Sequence, residues 1–393
     1  MNQRCNVMGM LAKPKFLKYM IIFAFIPLVL SIGMTPAMSY GNIFGTPKKQ
    51  MDDGVPNEDV LCRVGFDLAL RPSGSVACVK STSSEKLTGL GWETLTEDLP
   101  TLAELMVEEK TIEIDGLTVS YKEGGSPDSP TILLLHGFPT SSHMFRNLIP
   151  ALEDEFHLIA PDYIGYGKSS MPSVDEFEYT FDNQADIVDK LTEELGISEY
   201  SMYVMDYGAP IGFRLFSEHP ERIQAIIVQN GNAYEEGLEE FWDDWKVWWN
   251  DKTDENEKKL HYLVAADTTK WQYTFGMNNP NEIDPSTWIT DNTGLQRPGN
   301  VAIQLAMAYD YQTNLPLYPQ WQEQFREHQP PMLIVWGAND YIFPESGAHP
   351  YERDLDDVEK HILDTGHFAL EDHLDFISDK ISNFLNSRMD VKQ

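Results

Sequence analysis

The stretch Tyr203-Val204-Met205-Asp206-Tyr207-Gly208-Ala209-Pro210 decides how this chain reads. An apolar run stops at an acid and resumes through small residues. That pattern predicts a buried strand over Met202 to Met205, turning sharply into a helix over Gly208 to Glu218. A carboxylate then stands at the apex of the turn, at the end of a strand.

Working outward, the same alternation repeats. Thr111 to Ile114 and Leu117 to Tyr121 flank Asp115-Gly116, a β-hairpin with a turn dipeptide. Thr131 to Leu135 predicts a buried strand ending at His136-Gly137, and Phe156 to Ala160 another ending at Pro161-Asp162. Asp182 to Leu195 has helical spacing. Ile223 to Val228 and Met332 to Trp336 predict further strands. Strands alternating with helices imply an α/β fold on a mostly parallel sheet. The rhythm breaks between about Asn232 and Gln329, where helical stretches replace strands. Trp242, Trp245 and Trp249 fall on one helix face there and are expected to pack a helical lid onto the main domain. A helical insertion between two late strands forms a cap, which covers a pocket and excludes water.

Three motifs carry a family resemblance over about Thr111 to Leu385. They are His136-Gly137-Phe138-Pro139, Pro161-Asp162-Tyr163-Ile164-Gly165-Tyr166-Gly167-Lys168-Ser169, and Val204-Met205-Asp206-Tyr207-Gly208. Together they resemble the α/β-hydrolase superfamily, in its epoxide hydrolase and haloalkane dehalogenase branch. The resemblance implies an α/β-hydrolase fold and a nucleophile elbow with Asp206 in the position of an esterase serine. It also implies the chain order nucleophile, acid, histidine. Asp340, after Trp336-Gly337-Ala338-Asn339, takes the place of the acid. His367, in Thr365-Gly366-His367-Phe368, takes that of the base. A carboxylate nucleophile forms an ester with an alkylating substrate. His367 then activates water to hydrolyse it, with Asp340 orienting the imidazole. The backbone N–H groups of Phe138 and Tyr207 are the implied oxyanion hole. His136 is expected to hold its loop.

Leaving groups separate the branch. An epoxide oxygen needs a proton, which epoxide hydrolases supply from cap tyrosines. Tyr273 and Tyr311 fit those family positions best, with Tyr262, Tyr309 and Tyr318 as further cap tyrosines; Tyr311 lacks the Arg that usually follows. A halide needs N–H donors. Haloalkane dehalogenases usually carry His-Gly-Asn-Pro and a Trp after the nucleophile, where this chain has Phe138 and Tyr207. Trp271 or Trp288 would have to compensate. In haloacid dehalogenases arginines clamp the substrate carboxylate, and Tyr207 stands where one is expected. The expected activity is therefore hydrolysis of an epoxide to a diol. The alternatives are a haloalkane or haloacid dehalogenase on the same triad and a non-catalytic binding protein on the same fold, whose mark would be a lost triad member. No Gly-x-Ser-x-Gly occurs, which argues against a serine hydrolase. The ten histidines form no ligand-spaced cluster, so neither metal nor cofactor is expected.

Composition bounds the rest. The chain has 393 residues, 42% hydrophobic and 11% aromatic, enough for one large core with attachments. Its net charge of −33 argues against nucleic acid and anionic membranes. A small apolar substrate is the expected partner. Lys13, Lys15 and Lys18 precede an apolar stretch from Tyr19 to about Met34, with Ala37-Met38-Ser39 as a cleavage site. The stretch is short for a bilayer span of roughly 20 residues. Export is expected, with membrane attachment only if this segment is retained as an anchor. Cys62 and Cys78 remain after cleavage and are expected to form a disulfide. About forty residues around them resemble a small module attached to secreted archaeal proteins. The expected organisation is a signal peptide over 1–39, an accessory segment over 40–98, core over 99–231, cap over 232–329 and core over 330–393.

Overall fold

The computed structural model describes residues 66–71, 76–80, 93–94 and 107–389. The export signal, Cys62 and the proposed Cys62–Cys78 bond lie outside the described residues. Of the accessory segment, three short strands are described: β1 (Phe66–Leu70), β2 (Val76–Lys80) and β3 (Glu93–Thr94). They form an antiparallel sheet in the order β2-β1-β3. No strand was expected in this segment from its sequence.

The main sheet has eight strands: β4 (Glu108–Ile114), β5 (Leu117–Gly124), β6 (Thr131–Leu135), β7 (His157–Pro161), β8 (Tyr200–Met205), β9 (Ile223–Gln229), β10 (Met332–Gly337) and β11 (Val358–Leu363). Their order is β11-β10-β9-β8-β6-β7-β5-β4. From β7 to β11 every pairing is parallel, and β5 runs antiparallel to both its neighbours. The hairpin turns where the sequence places it, with Asp115 at φ 52° and Gly116 at φ 79°. Two consecutive positive φ values are what a two-residue turn between right-twisted strands requires.

Every residue of β7, β8 and β10 is buried. That is why these strands read as continuous apolar runs without alternation. Helices cover both faces, among them α1 (Leu148–Leu152), α2 (Phe181–Glu194) and α3 (Gly208–Glu218). Thr180 caps α2, its side chain accepting from Asn183 N–H. The chain leaves β6 towards β7 on one side and returns to β8 on the other. The connections therefore diverge beside β6 and β8, a topological switch point of the kind where ligands bind at the carboxyl ends of such sheets.

Between β9 and β10 the described residues are helical. They include α4 (Asp243–Asn250), α5 (Asp254–Leu260), α6 (Ala266–Thr274), α7 (Ser286–Leu295), α8 (Asn300–Asp310) and α9 (Tyr318–His328). Helix α10 (Leu374–Met389) closes the domain. The inserted helices are tied to the core by polar contacts as well as apolar packing. Trp242 Nε1 donates to Ile342 O at 2.8 Å, Arg214 donates to Asn314 Oδ1 at 2.7 Å and Asn339 Nδ2 to Gly276 O at 2.8 Å.

Two glycines report how tightly the elbow is packed and how loosely one cap helix is. A Cβ on Gly208 would lie 2.1 Å from the Leu135 carbonyl oxygen, which is backbone and cannot move aside; one on Gly294 would meet nothing within 4 Å. Gly208→Ala is expected to lose about 1–3 kcal/mol through overpacking. Gly294→Ala is expected to gain up to about 1 kcal/mol from helix propensity. Chemical denaturation of both variants checks this pair, and equal effects would contradict the packing described.

Candidate active site

Strand β8 delivers Asp206 to the sheet's carboxyl edge at φ 51°, a conformation unusual for a residue with a Cβ. The crowded turn admits only small neighbours. A Cβ on Gly137 would lie 2.4 Å from the Cβ of Asp206. This close approach lets the loop after β6 wrap Asp206. Phe138 N–H donates to Asp206 Oδ1 at 2.7 Å, and Tyr207 N–H donates to the same oxygen at 2.6 Å. The two backbone donors named from the sequence thus converge on one carboxylate oxygen.

The other oxygen faces the histidine. His367 Nε2 lies 3.7 Å from Asp206 Oδ2 and makes no hydrogen bond to protein. His367 Nδ1 donates to Asp340 Oδ2 at 2.7 Å. Ile342 N–H donates to Asp340 Oδ1 at 2.8 Å, and Asn230 Nδ2 donates to Asp340 Oδ2 at 2.8 Å. Asp206, Asp340 and His367 are all buried. Three residues far apart in sequence therefore meet in one connected set, each from the carboxyl end of its own strand.

Burial sets the electrostatics. It pushes the Asp206 carboxyl up to about 6, against the pull of His367 and the two backbone donors. For His367, burial opposes the charged ring, but the Asp340 charge and hydrogen bond, helped by Asp206, outweigh it and raise the pKa. His136 is a contrast. Buried, with Nδ1 2.9 Å from Gly137 O and its ring stacked at 4.0 Å on Tyr163, it is pushed down to about 4 and stays neutral. The adjoining Phe138-Pro139 bond is cis.

Over Asp206 the walls are Phe241, Trp242, Trp245, Leu263, Gln272 and Ile342. The void they leave is about 10 Å³, room for about one water. Trp242 and Trp245 thus face the pocket, where the sequence reading gave them only packing. Gln272 was not anticipated, although its neighbour Tyr273 was singled out. Trp245 Nε1 and Gln272 Oε1 are buried without a hydrogen-bond partner. The Trp245 indole is close enough to the Tyr262 hydroxyl to ease its ionisation, though burial raises that pKa overall. Trp271 and Trp288 are not among these walls; they pack on Phe275 and Tyr273. A larger cleft of about 490 Å³ between cap and core, bounded by Thr140, Tyr166, Asp291 and Arg297, contains none of the three residues.

The two cap tyrosines part company. Tyr273 stacks on Phe368 with centroids 3.9 Å apart and donates its hydroxyl to buried Asp291, which also accepts from Thr140. Neither Tyr273 nor Tyr311 is a wall of the Asp206 void. Tyr311 is fully buried against Trp242, with ring centroids 4.5 Å apart, and lies 6.0 Å from the Tyr207 ring. Burial, the Tyr318 hydroxyl and the Asp206 charge all raise its pKa, so it holds its proton. Tyr309 packs on Trp248 instead, and Tyr318 accepts from Asn232 Nδ2 at 3.4 Å. No group of three or more His, Cys, Asp or Glu residues that would hold a metal occurs among the described residues.

If Asp340 is what keeps His367 basic, removing its charge should reverse the shift. In Asp340→Asn the burial cost is opposed only by Asp206, and the His367 pKa is expected to fall. Ring-proton NMR over a pH series measures it. An unchanged His367 titration in that variant would contradict the pairing.

Comparison with known proteins agrees with this architecture. A family model for the alpha/beta hydrolase fold matches residues 130–374. An uncharacterized hydrolase of Saccharomyces cerevisiae is 43% identical over 271 residues, spanning 68% of this chain and 93% of the yeast protein. A haloalkane dehalogenase of Mycolicibacterium paratuberculosis is 39% identical over 116 residues, 29% of this chain and 38% of that protein. The match to that dehalogenase thus spans well under half its length. The crystal structure of the haloalkane dehalogenase DbeA from Bradyrhizobium elkani superposes with a TM-score of 0.61 at 21% identity, over 72% of this chain and 99% of that one. That likeness is one of fold. The chain belongs to the α/β-hydrolase family and is an enzyme of that type.

Proposed function

We propose that this enzyme hydrolyses small, largely apolar epoxides to diols through an ester on Asp206. The observation that carries the covalent half of the reading is the division of labour between the two Asp206 oxygens. Oδ1 is held by two N–H donors, while Oδ2 is the oxygen turned towards His367. Oδ2 attacks a ring carbon, the carbon–oxygen bond of the epoxide breaks, and the leaving oxygen takes a proton. Oδ1 becomes the ester carbonyl oxygen without moving. Water then adds to the Asp206 carboxyl carbon as His367 Nε2 takes its proton. The charge that develops on Oδ1 meets donors already 2.6 and 2.7 Å away. Collapse releases the diol and restores the carboxylate.

Tyr311 is the proposed acid for the leaving oxygen. What supports it is its place beside Trp242 and within the field of Asp206; Tyr273, committed to Asp291, has no such surroundings. A second reading, halide displacement, is favoured by one observation: Trp245 Nε1, an N–H donor in the wall above Asp206, is buried with only the Tyr262 hydroxyl near it. A halide needs such a donor and no proton. Export and the Cys62–Cys78 bond remain part of the proposal.

The deciding experiment is a side-by-side panel of styrene oxide, 1-bromobutane and chloroacetate, read as diol formation or halide release. Styrene oxide turnover is expected, and Tyr311→Phe should slow its alkylation step by roughly 10²–10⁴-fold. Halide release without diol formation, sensitive to Trp245→Phe and not to Tyr311→Phe, would reverse the ranking. In either case the nucleophile acts only as an anion. Alkylation should therefore be full well above pH 6 and fall as pH drops through about 6, following Asp206. His367→Gln should accumulate a substrate adduct on Asp206, seen by intact-protein mass spectrometry. Full multiple turnover by that variant would remove His367 from the mechanism.

A further inference from the structure

Strand β9 carries no member of the triad, yet Gln229 at its end and Asn230 just beyond it touch all three. Gln229 Nε2 donates to the His367 carbonyl oxygen at 2.9 Å, and Gln229 Oε1 accepts from the Tyr203 hydroxyl on β8. The carbonyl of Asn230 accepts from Asp206 N–H at 3.3 Å. Asn230 Nδ2 donates to Asp340 Oδ2 at 2.8 Å and lies 3.2 Å from Gly337 O, while Asn230 Oδ1 accepts from Gly337 N–H at 2.9 Å. Both side chains are fully buried.

We propose that Gln229-Asn230 is a clamp that positions the nucleophile, acid and base together, and that Asn230 is a positioning residue for the ester-hydrolysis half of the reaction. The inference rests on reading Asp206, Asp340 and His367 as a catalytic triad. Its logic follows from the sheet order. β9 lies between β8, which ends at the nucleophile, and β10, which leads to the acid. A residue at its tip reaches both sides. Asn230 sits at φ 42°, in the left-handed region that Asn tolerates better than other residues with a side chain. That twist turns its carbonyl to Asp206 and its amide to Asp340.

The amide does what a packing residue would not. Asp340 Oδ2 receives both His367 Nδ1 and Asn230 Nδ2, and Oδ1 receives Ile342 N–H. Three donors from three segments fix the carboxylate plane, so Oδ2 stays aimed at the imidazole. Donors to the ionised form also favour it in a buried site. Gln229 fixes the other end of the same pair by holding the main chain of His367.

Asn230→Gly tests the amide apart from the turn. Glycine takes the positive φ freely and keeps the carbonyl to Asp206, losing only the side chain. With styrene oxide, and with 1-bromobutane in parallel, alkylation should be little changed. Ester hydrolysis should slow roughly 10- to 100-fold, about the worth of one hydrogen bond to a charged group. An Asp206 adduct should then accumulate in the steady state, which a merely destabilised fold would not produce. Asn230→Asp gives a second readout. Two carboxylates in one buried site share a proton at low pH, restoring an O–H donor to Asp340, and repel when both ionise. Because His367 must still be neutral to act as base, the variant's ester hydrolysis should peak at a lower pH than that of the wild type. Wild-type ester hydrolysis by Asn230→Gly, or a wild-type pH profile in Asn230→Asp, would overturn the clamp. Absence of any adduct in His367→Gln would remove the covalent reading, and the clamp with it.

Discussion

A carboxylate buried at the tip of a strand is the constraint around which this molecule is built. Left alone in an apolar interior, Asp206 would take up a proton and lose its reactivity. Two backbone N–H groups, presented by Phe138 and Tyr207, oppose that tendency, and His367 adds charge from the other side. Presenting them demands the rest of the local structure. The elbow must adopt a positive φ, the loop after β6 must come within contact of Asp206, and Gly137 and Gly208 must lack side chains. The donors are spent twice. They hold the resting anion, and in the proposed mechanism they meet the oxyanion of ester hydrolysis on the same atom.

Much of this was legible in the sequence because the central strands are buried on both faces. β6, β8 and β10 read as apolar runs that stop at a reactive residue or at a small one. Asp206 and Asp340 could be singled out because each follows such a run, whereas His367 was placed by its position after the last strand. β11 was harder, since Val358-Glu359-Lys360-His361-Ile362 is only half-buried and mixes charged with apolar residues. The small sheet of β1 to β3 was missed for a related reason: strands of two to five residues carry too little periodicity to register.

In the cap the sequence was less informative. Aromatic residues that pack a lid and aromatic residues that line a pocket obey the same helical spacing. Nothing in the run from Phe241 to Trp249 tells Trp242 and Trp245, at the Asp206 void, from Trp249. Gln272 and Tyr273 differ by one step around a helix, about 100°. Only the docked helix reveals that the amide meets the void while the hydroxyl turns to Asp291. Asn230 is a different case. Its partners lie 107 and 110 positions away, and no local pattern announces them.

The void of about 10 Å³ over Asp206 has a kinetic consequence. No organic substrate fits it, so in the proposed cycle the aromatic wall must give way first. Productive encounters are then limited to the fraction of molecules that are open, and measured affinity is diluted by that fraction. A mutation that loosens the Trp242 bond to Ile342, in the wall of the void itself, would raise the open fraction and admit substrate faster. It would also admit bulk water to the ester, so speed of capture and shelter of the intermediate are set against each other by a single indole N–H.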